Sequence, residues 1–145
     1  MYKHLLIPTD GSALSEDAIR QGVTFAKSIN ATVTVVTVSP SFHTMSMDPM
    51  MVSDTREQYQ KDCEAMAERY LAFARALARA SGVPCEGVHV VNDHPYDGII
   101  DTARTKGCDL IFMASHGRKG VAALVLGSET TKVLTHSKIP TLVCR

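Results

Sequence analysis

Five short apolar runs that alternate with helical patterns are the feature that most constrains the fold of this chain. The runs KHLLIP, residues 3–8, and TVTVVTV, residues 32–38, show little polar alternation, which is typical of strands buried on both faces of a sheet. Three further runs predict strands, CEGVHVV at 85–91, DLIFMA at 109–114 and IPTLVC at 139–144. Because helical segments separate the strands, we expect βαβ units, which means a parallel sheet with right-handed crossovers and helices on both faces.

Four helices are predicted between these strands, each with capping or stop residues at its ends. In chain order they follow Ser12, run from Ser53 to Gly82, follow Asp93 or His94 as far as Gly107, and run from about Ser128 to His136. The inward faces expected for the first two helices consist of apolar residues at helical spacing. They are Leu14, Ala18, Phe25 and Ile29 in the first helix and Tyr59, Cys63, Met66, Tyr70, Ala74 and Leu77 in the second.

Length and charge limit the class of protein. The 145 residues, predicted to form one domain over 1–145, are enough to bury a core without disulfides or metal ions. Lys plus Arg and Asp plus Glu each number 15, and no stretch concentrates basic residues among aromatic ones, so no nucleic-acid partner is expected. No apolar run approaches membrane-spanning length and no secretory signal pattern follows Met1, so we expect a cytoplasmic protein without a membrane partner.

The side chains most used in metal and redox chemistry are scattered along the chain. The cysteines at positions 63, 85, 108 and 144 form no C-x-x-C pair, which favours reduced, partly buried thiols. The six histidines form no H-x3-H or H-E-x-x-H pair. No metal site is therefore predicted.

The stretch MASHGRKGVAALVLGSETTKVL, residues 113–134, has the composition of a phosphate-binding loop. A phosphate site needs inward-pointing N–H groups, small residues that let oxygen approach the main chain, and preferably a helix N-terminus. Gly117, Gly120, Gly127 and Ser128 supply these features. The spacing matches neither a Walker A motif nor a dinucleotide fingerprint, and on these residues alone a purely structural loop is an equal alternative.

Charged and polar side chains surround the loop glycines. Arg118 and Lys119 add positive charge, or form an ordinary solvated loop tip, and His116 could donate a hydrogen bond to a phosphate oxygen. In folds of this class, ligands bind beyond the carboxyl ends of the strands, where the strand order reverses. The expected site therefore combines this loop with residues 8–12 and 38–39.

Three stretches occur here in the order found in the universal stress protein family: PTDGSALSEDAI after the first strand, then DLIFMASHG, then LGSETTKVL. The chain resembles that family from its first strand to its last. The resemblance implies a flavodoxin-like fold of the adenine nucleotide alpha hydrolase type, a three-layer α/β sandwich around a five-stranded parallel sheet of order 3-2-1-4-5. It also implies a homodimer formed through the last strand, Ile139 to Cys144, where Pro140 suits a sheet edge.

The nucleotide motif of that family, G-x2-G-x9-G-[ST], falls on Ala114, Gly117, Gly127 and Ser128 of this chain. Ala114 replaces the first glycine, a change that a backbone with negative φ accommodates and one with positive φ does not. Glu129 follows the motif serine. Its carboxylate suits a helix N-terminus but would repel a polyphosphate there unless the side chain turns away.

The resemblance also proposes Asp10 for the ribose hydroxyls, with Pro8, Thr9 and Val38 framing the adenine. Asp10 has a structural alternative that is compatible with this role, because in a D-G-S sequence the side chain can cap the turn. The full set of predicted nucleotide-binding residues joins these positions to the loop. It comprises Pro8, Thr9, Asp10, Val38, Met113, Ala114, His116, Gly117, Arg118, Gly120, Gly127, Ser128, Glu129 and Thr130.

The function expected from this resemblance is binding of ATP, or of ADP or AMP, with or without Mg²⁺, by a stress-response regulator or nucleotide-gated switch. Two alternatives stay open: a dimeric interaction protein that binds no nucleotide, and a slow ATPase. The methionines at positions 45, 47, 50 and 51 are interpreted as an adaptable contact surface or lid, or as a mobile loop.

Overall fold

The fold is a parallel sheet covered by helices on both faces. A computed structural model of the chain describes residues 1–42, 53–117 and 126–145. The strands are β1 (His4–Pro8), β2 (Thr32–Ser39), β3 (Cys85–Val91), β4 (Leu110–Ala114) and β5 (Thr141–Cys144). The helices of the described residues are α1 (Ala13–Ser28), α2 (Ser53–Ser81), α3 (Pro95–Thr105) and α4 (Ser128–His136).

The strands pair in the order β3-β2-β1-β4-β5, all of them parallel, which confirms the predicted 3-2-1-4-5 sheet. The order reverses between β1 and β4, so this is where a ligand site is expected in such a fold. The predicted methionine segment, together with Arg118, Lys119 and Gly120, lies outside the described residues.

The core has two apolar layers, one on each face of the sheet. Successive residues of a strand point to opposite faces. In β1, Leu5 and Ile7 pack in the layer beneath α1 and α2, whereas Leu6 packs beneath α3 and α4. All three side chains are fully buried, which explains why the sequence of this strand has no polar alternation. The predicted three-layer arrangement is therefore confirmed.

The inward face of α1 agrees with the predicted one only in part: Ala18 is fully buried, and Phe25 and Ile29 pack partly buried against the core. Leu14 is 39% exposed, and the buried face consists of small and β-branched residues. They are Ser15, Ala18, Ile19, Gly22, Val23 and Ala26. Gly22 shows the reason, because a Cβ at this position would lie 2.5 Å from Cδ1 of Ile7. Close contact between helix and sheet requires small side chains. A pattern of large apolar residues does not indicate these positions.

The face of α2 is displaced in the same way. Its buried residues are Ala67, Leu71, Ala74 and Ala78. Of the predicted face only Ala74 is fully buried, while Tyr59, Cys63, Met66, Tyr70 and Leu77 are half-buried at the margin of the contact. The alanines allow the helix axis to approach the sheet, so the larger side chains spread to either side of it.

The helix ends agree only in part with the sequence. Ser12 caps α1 as predicted, since its hydroxyl accepts a first-turn N–H at 3.2 Å. His94 is the N-cap residue of α3, but its side chain makes no capping hydrogen bond. Asp93, the other predicted cap, instead accepts hydrogen bonds from the N–H and hydroxyl of Ser41, at 3.0 and 2.6 Å.

The assignment of the α1 face leads to a stability prediction. Ile19→Ala should lower the free energy of unfolding by about 2–5 kcal/mol, because it leaves a cavity at a fully buried position. Leu14→Ala, on the same helix, should change it by no more than about 0.5 kcal/mol. Urea titrations followed by circular dichroism measure both. Equal losses for the two variants would contradict the assignment and favour the face predicted from the sequence.

Candidate functional site

A cavity of about 680 Å³ opens at the carboxyl ends of β2, β1 and β4. It lies at the point where the strand order reverses. Of the predicted nucleotide-binding residues, all except Arg118 and Gly120 line this cavity, and those two lie outside the described residues. The lining residues that the sequence did not predict are Ser15, Val36, Pro95, Ile99 and Leu126.

Asp10 lies in a tight turn directly after β1. One oxygen of its carboxylate accepts the Ser12 N–H at 3.0 Å, which confirms the predicted turn-capping role. Gly11 between them has a φ of +78°, a conformation that favours glycine. The buried hydroxyl of Thr9 accepts the Gly11 N–H at 3.2 Å and lies 3.0 Å from the hydroxyl of Ser15. The turn is thus held by its own side chains.

Gly117 brings the loop after β4 against this turn. A Cβ at Gly117 would lie 2.5 Å from Oδ2 of Asp10, closer than side chains approach one another. A residue with a side chain would therefore displace the Asp10 carboxylate. Glycine at 117 allows the two loops that follow β1 and β4 to form one wall of the cavity.

Gly127 and Thr130 hold the other end of that loop against the end of β4. The Gly127 N–H donates to the Ser115 carbonyl at 2.8 Å. A Cβ on Gly127 would lie 3.1 Å from the same carbonyl oxygen. The buried hydroxyl of Thr130 donates to the carbonyl of Ala114, at 3.0 Å. The Thr130 side chain thus fixes the loop, and what it can offer a ligand is its main-chain N–H.

The N-terminus of α4 opens on the cavity. Its first backbone bond within the helix runs from the Thr131 N–H to the carbonyl of Gly127, at 3.0 Å. The N–H groups of Ser128, Glu129 and Thr130 precede that bond and have no carbonyl partner in the helix. Together with the helix dipole, such N–H groups form a binding site for an anion.

The backbone at Ala114 satisfies the condition set for an alanine there. Ala114 is the last residue of β4 and does not have a positive φ. Among the described residues, the non-glycine residue with a positive φ is Asn30. The side chain is 7% exposed, between the strand end and the cavity. The alanine methyl group therefore costs no backbone strain at this position.

His116 has one ring nitrogen engaged and one not. Its Nδ1 lies 3.0 Å from the hydroxyl of Ser115. Its Nε2 is buried and has no hydrogen-bond partner among the described residues. When the Ser115 hydroxyl donates to Nδ1, the ring proton is on Nε2, which then requires an acceptor.

Glu129 interacts with α3 rather than projecting into solvent. Its Oε2 accepts the Tyr96 N–H at 2.8 Å, and its Oε1 lies 3.4 Å from Nζ of Lys132. Tyr96 is in the first turn of α3, where N–H groups have no partner within the helix. The carboxylate therefore serves as the cap that His94 and Asp93 do not provide, and it still lines the cavity.

The part of the cavity nearest β2 and α3 is apolar. Val36 and Val38 of β2 face Ile99 of α3 there, and Pro8 completes the wall. Gly98 permits this contact, because a Cβ on it would lie 3.0 Å from Cγ2 of Val38. The cavity thus has an apolar side suited to a flat ring and a side rich in N–H donors suited to an anion, and the Asp10 turn lines the same cavity.

Metal ligands are sparse in this region. In the ranges 1–42, 53–117 and 126–145 no group of three or more His, Cys, Asp or Glu side chains could hold a metal ion. The acidic residues that line the cavity are Asp10 and Glu129. Across the same ranges, no helix combines the length and apolar character needed to cross a membrane.

Sequence comparisons match the whole chain. The sequence model described as the universal stress protein family matches residues 1–145. The chain is 28% identical over 153 residues to universal stress protein YxiE of Bacillus subtilis, covering 100% of both proteins. It is 26% identical over 148 residues to universal stress protein MJ0531 of Methanocaldococcus jannaschii, covering 100% of this chain and 83% of that protein.

Solved structures share the fold over nearly the whole chain. Protein MJ0577 of Methanocaldococcus jannaschii superimposes with a TM-score of 0.84 at 26% identity, covering 99% of this chain and 95% of that one. An Archaeoglobus fulgidus universal stress protein in complex with dAMP gives 0.71 at 20% identity and 99% and 98% coverage. A universal stress protein in complex with cAMP gives 0.70 at 24% identity and 99% and 97% coverage. This chain belongs to the universal stress protein family.

Proposed function

We propose that this chain binds an adenine nucleotide in the cavity between β1 and β4 and acts as a nucleotide-responsive regulator in the cytoplasm. The observation that carries the proposal is the arrangement of the cavity wall. An apolar side, a fixed carboxylate and a helix N-terminus line one cavity, and these are the features that the base, ribose and phosphate of a nucleotide require. The complexes of two relatives with dAMP and cAMP support an adenine ligand.

In this proposal the base occupies the apolar side. Val38 and Ile99 would pack on the two faces or edges of the ring, and Pro8 would limit its depth. The Asp10 carboxylate is held by the turn after β1 and would accept hydrogen bonds from the ribose hydroxyls. Capping the turn and binding the ribose are compatible, because a carboxylate accepts several hydrogen bonds.

The phosphate would bind at the N-terminus of α4. The donors available there are the N–H groups of Ser128, Glu129 and Thr130 and the Ser128 hydroxyl. The clamp that Gly127 and Thr130 form with the end of β4 fixes these donors before a ligand arrives, so less entropy is lost on binding.

We propose binding rather than turnover as the activity. Mg²⁺ would reach the site with the nucleotide phosphates, since the described residues supply no cluster of three ligands for it. The slow-ATPase alternative requires steady phosphate release that Asp10→Asn or Ser128→Ala abolishes. If the chain is instead a dimer that binds no nucleotide, the purified protein should bind none in a titration and should release none when it is denatured by heat.

Two substitutions test the proposed contacts. Asp10→Asn keeps an oxygen that can accept the Ser12 N–H but removes the charge, and Ser128→Ala removes one hydroxyl donor. Each should weaken binding of adenine nucleotides about tenfold, as expected for the loss of a hydrogen bond that involves a charged group. Calorimetric titration of nucleotide-free protein measures the dissociation constants.

Thr135→Ala is the matched control for that experiment. Thr135 is exposed on the same helix as Ser128, and its hydroxyl donates to the carbonyl of Thr131 outside the cavity. The control should bind like the wild type. Wild-type protein that binds no adenine nucleotide, with none released on denaturation, would rule out the proposed function.

We also propose that two copies of the chain associate through β5. This strand lies at one edge of the sheet and pairs with β4 on one side, and its Leu142 is 36% exposed. An edge strand with an exposed apolar side chain can extend a sheet into a second copy around a two-fold axis. The proposed dimer would bring two nucleotide sites into one particle.

A charge at Leu142 should separate such a dimer. Leu142→Lys is expected to lower the mass measured by light scattering from that of two chains to that of one 15.7 kDa chain, because it places an unpaired ammonium in the interface. Leu14→Lys is the control, since Leu14 has a similar exposure of 39% but lies on α1 and not on the edge strand. A monomeric wild type, or a dimer in both variants, would contradict the interface.

A further inference from the structure

We propose that Glu129 makes this cavity select an adenine nucleotide with one phosphate over a triphosphate. The inference rests on the proposed function and adds the phosphate number to it. The selecting group is the Glu129 carboxylate, which is tied to the first turn of α3 at the phosphate end of the cavity.

Two helix N-termini face each other across this end of the cavity. Pro95 begins α3 and Ser128 begins α4, and both residues line the cavity wall. A chain of phosphates could therefore use the amide groups of both helices. The first turn of α3 is already occupied, however, because its Tyr96 N–H donates to Oε2 of Glu129 at 2.8 Å. A second or third phosphate would have to compete with that carboxylate for the same donor.

The charge of the cavity wall near Glu129 also disfavours binding of a triphosphate. Glu129 and Asp10 carry negative charge, and no lysine or arginine is among the described residues that line the cavity. Lys132 lies 3.4 Å from Oε1 of Glu129 and 5.7 Å from the centre of the Tyr96 ring, and its side chain is 48% exposed. Solvent screens such an exposed pair. Within the described wall, the Glu129 carboxylate repels any further phosphate that approaches it.

The remaining donors suit a single phosphate. They are the first-turn N–H groups of α4 and the Ser128 hydroxyl. One phosphate group has enough oxygens to meet these donors without reaching the Glu129 carboxylate.

The proposal predicts that AMP binds more tightly than ATP, and that replacing the Glu129 carboxylate by an amide reduces this difference. In buffer without Mg²⁺, wild-type protein should bind AMP more tightly than ATP. Glu129→Gln removes the charge but keeps an oxygen that can accept the Tyr96 N–H. It should lower the dissociation constant of ATP about tenfold and that of AMP about threefold or less, because ATP carries more charge near residue 129. Calorimetric titration with each nucleotide gives both constants.

Two controls isolate the effect of the Glu129 charge. Glu57→Gln changes the net charge by the same amount on the exposed surface of α2 and should leave both constants as in the wild type. Thermal unfolding of Glu129→Gln without ligand reports whether α3 is still capped. Mg²⁺, which neutralises part of the triphosphate charge, should reduce the preference of the wild type for AMP.

The outcomes separate this inference from the proposed function. A wild type that prefers ATP, or a ratio of the ATP and AMP constants that Glu129→Gln leaves unchanged, overturns the selection by Glu129 while the nucleotide site stands. A wild type and a Glu129→Gln variant that bind neither nucleotide overturn both. A narrowed ratio in Glu129→Gln alone, with Glu57→Gln unchanged, supports the inference.

Discussion

The position of β1 between β2 and β4 is the constraint on which the rest of the structure depends. Both neighbours pair with it in parallel, so the carboxyl ends of three strands reach the same edge of the sheet. The chain must leave β1 on one side to reach β2 and return on the other to form β4. The loops that follow β1 and β4 pack against each other through Asp10 and Gly117 and form one wall of the cavity at the carboxyl ends of these strands. Asp10, Gly117 and the α4 N-terminus meet there because of this topology.

The hydrogen bonds of the loop after β4 decide which groups are left for a ligand. Gly127 and Thr130 use their N–H and hydroxyl, respectively, to bond the last carbonyls of β4 and its continuation. These bonds orient α4 so that its first turn opens on the cavity. The first-turn N–H groups cannot be satisfied within the helix. The fold thus supplies anion-binding donors as a by-product of closing the loop.

The sequence predicted those features of the fold that depend on local residue patterns. The apolar runs predicted the strands. The reason is clearest in β1, β2 and β4, which are largely buried on both faces and so show little polar alternation. The Gly-Ser stretch predicted the start of α4. The predicted faces of α1 and α2 are correct at Ala18 and Ala74, which are fully buried, but they omit Gly22 and Ala67. Those two residues pack through small size, which carries no hydrophobic signal. Pro95 and Ile99 were missed because α3 reaches the cavity only through the packing of the whole sheet. No sequence motif indicates that α3 lines the cavity.

The role of Glu129 depends both on its place in the sequence and on the packing of distant elements. From the sequence it is a carboxylate next to a possible phosphate, and its effect depends on where the side chain turns. The structure turns it to Tyr96, which lies 33 positions away along the chain. The same carboxylate therefore stabilises α3, whose own N-cap residue provides no side-chain bond, and sets the charge of the cavity. An alanine at 129 would remove both effects together, whereas glutamine separates them. Stability of α3 and choice of ligand are thus linked through one side chain.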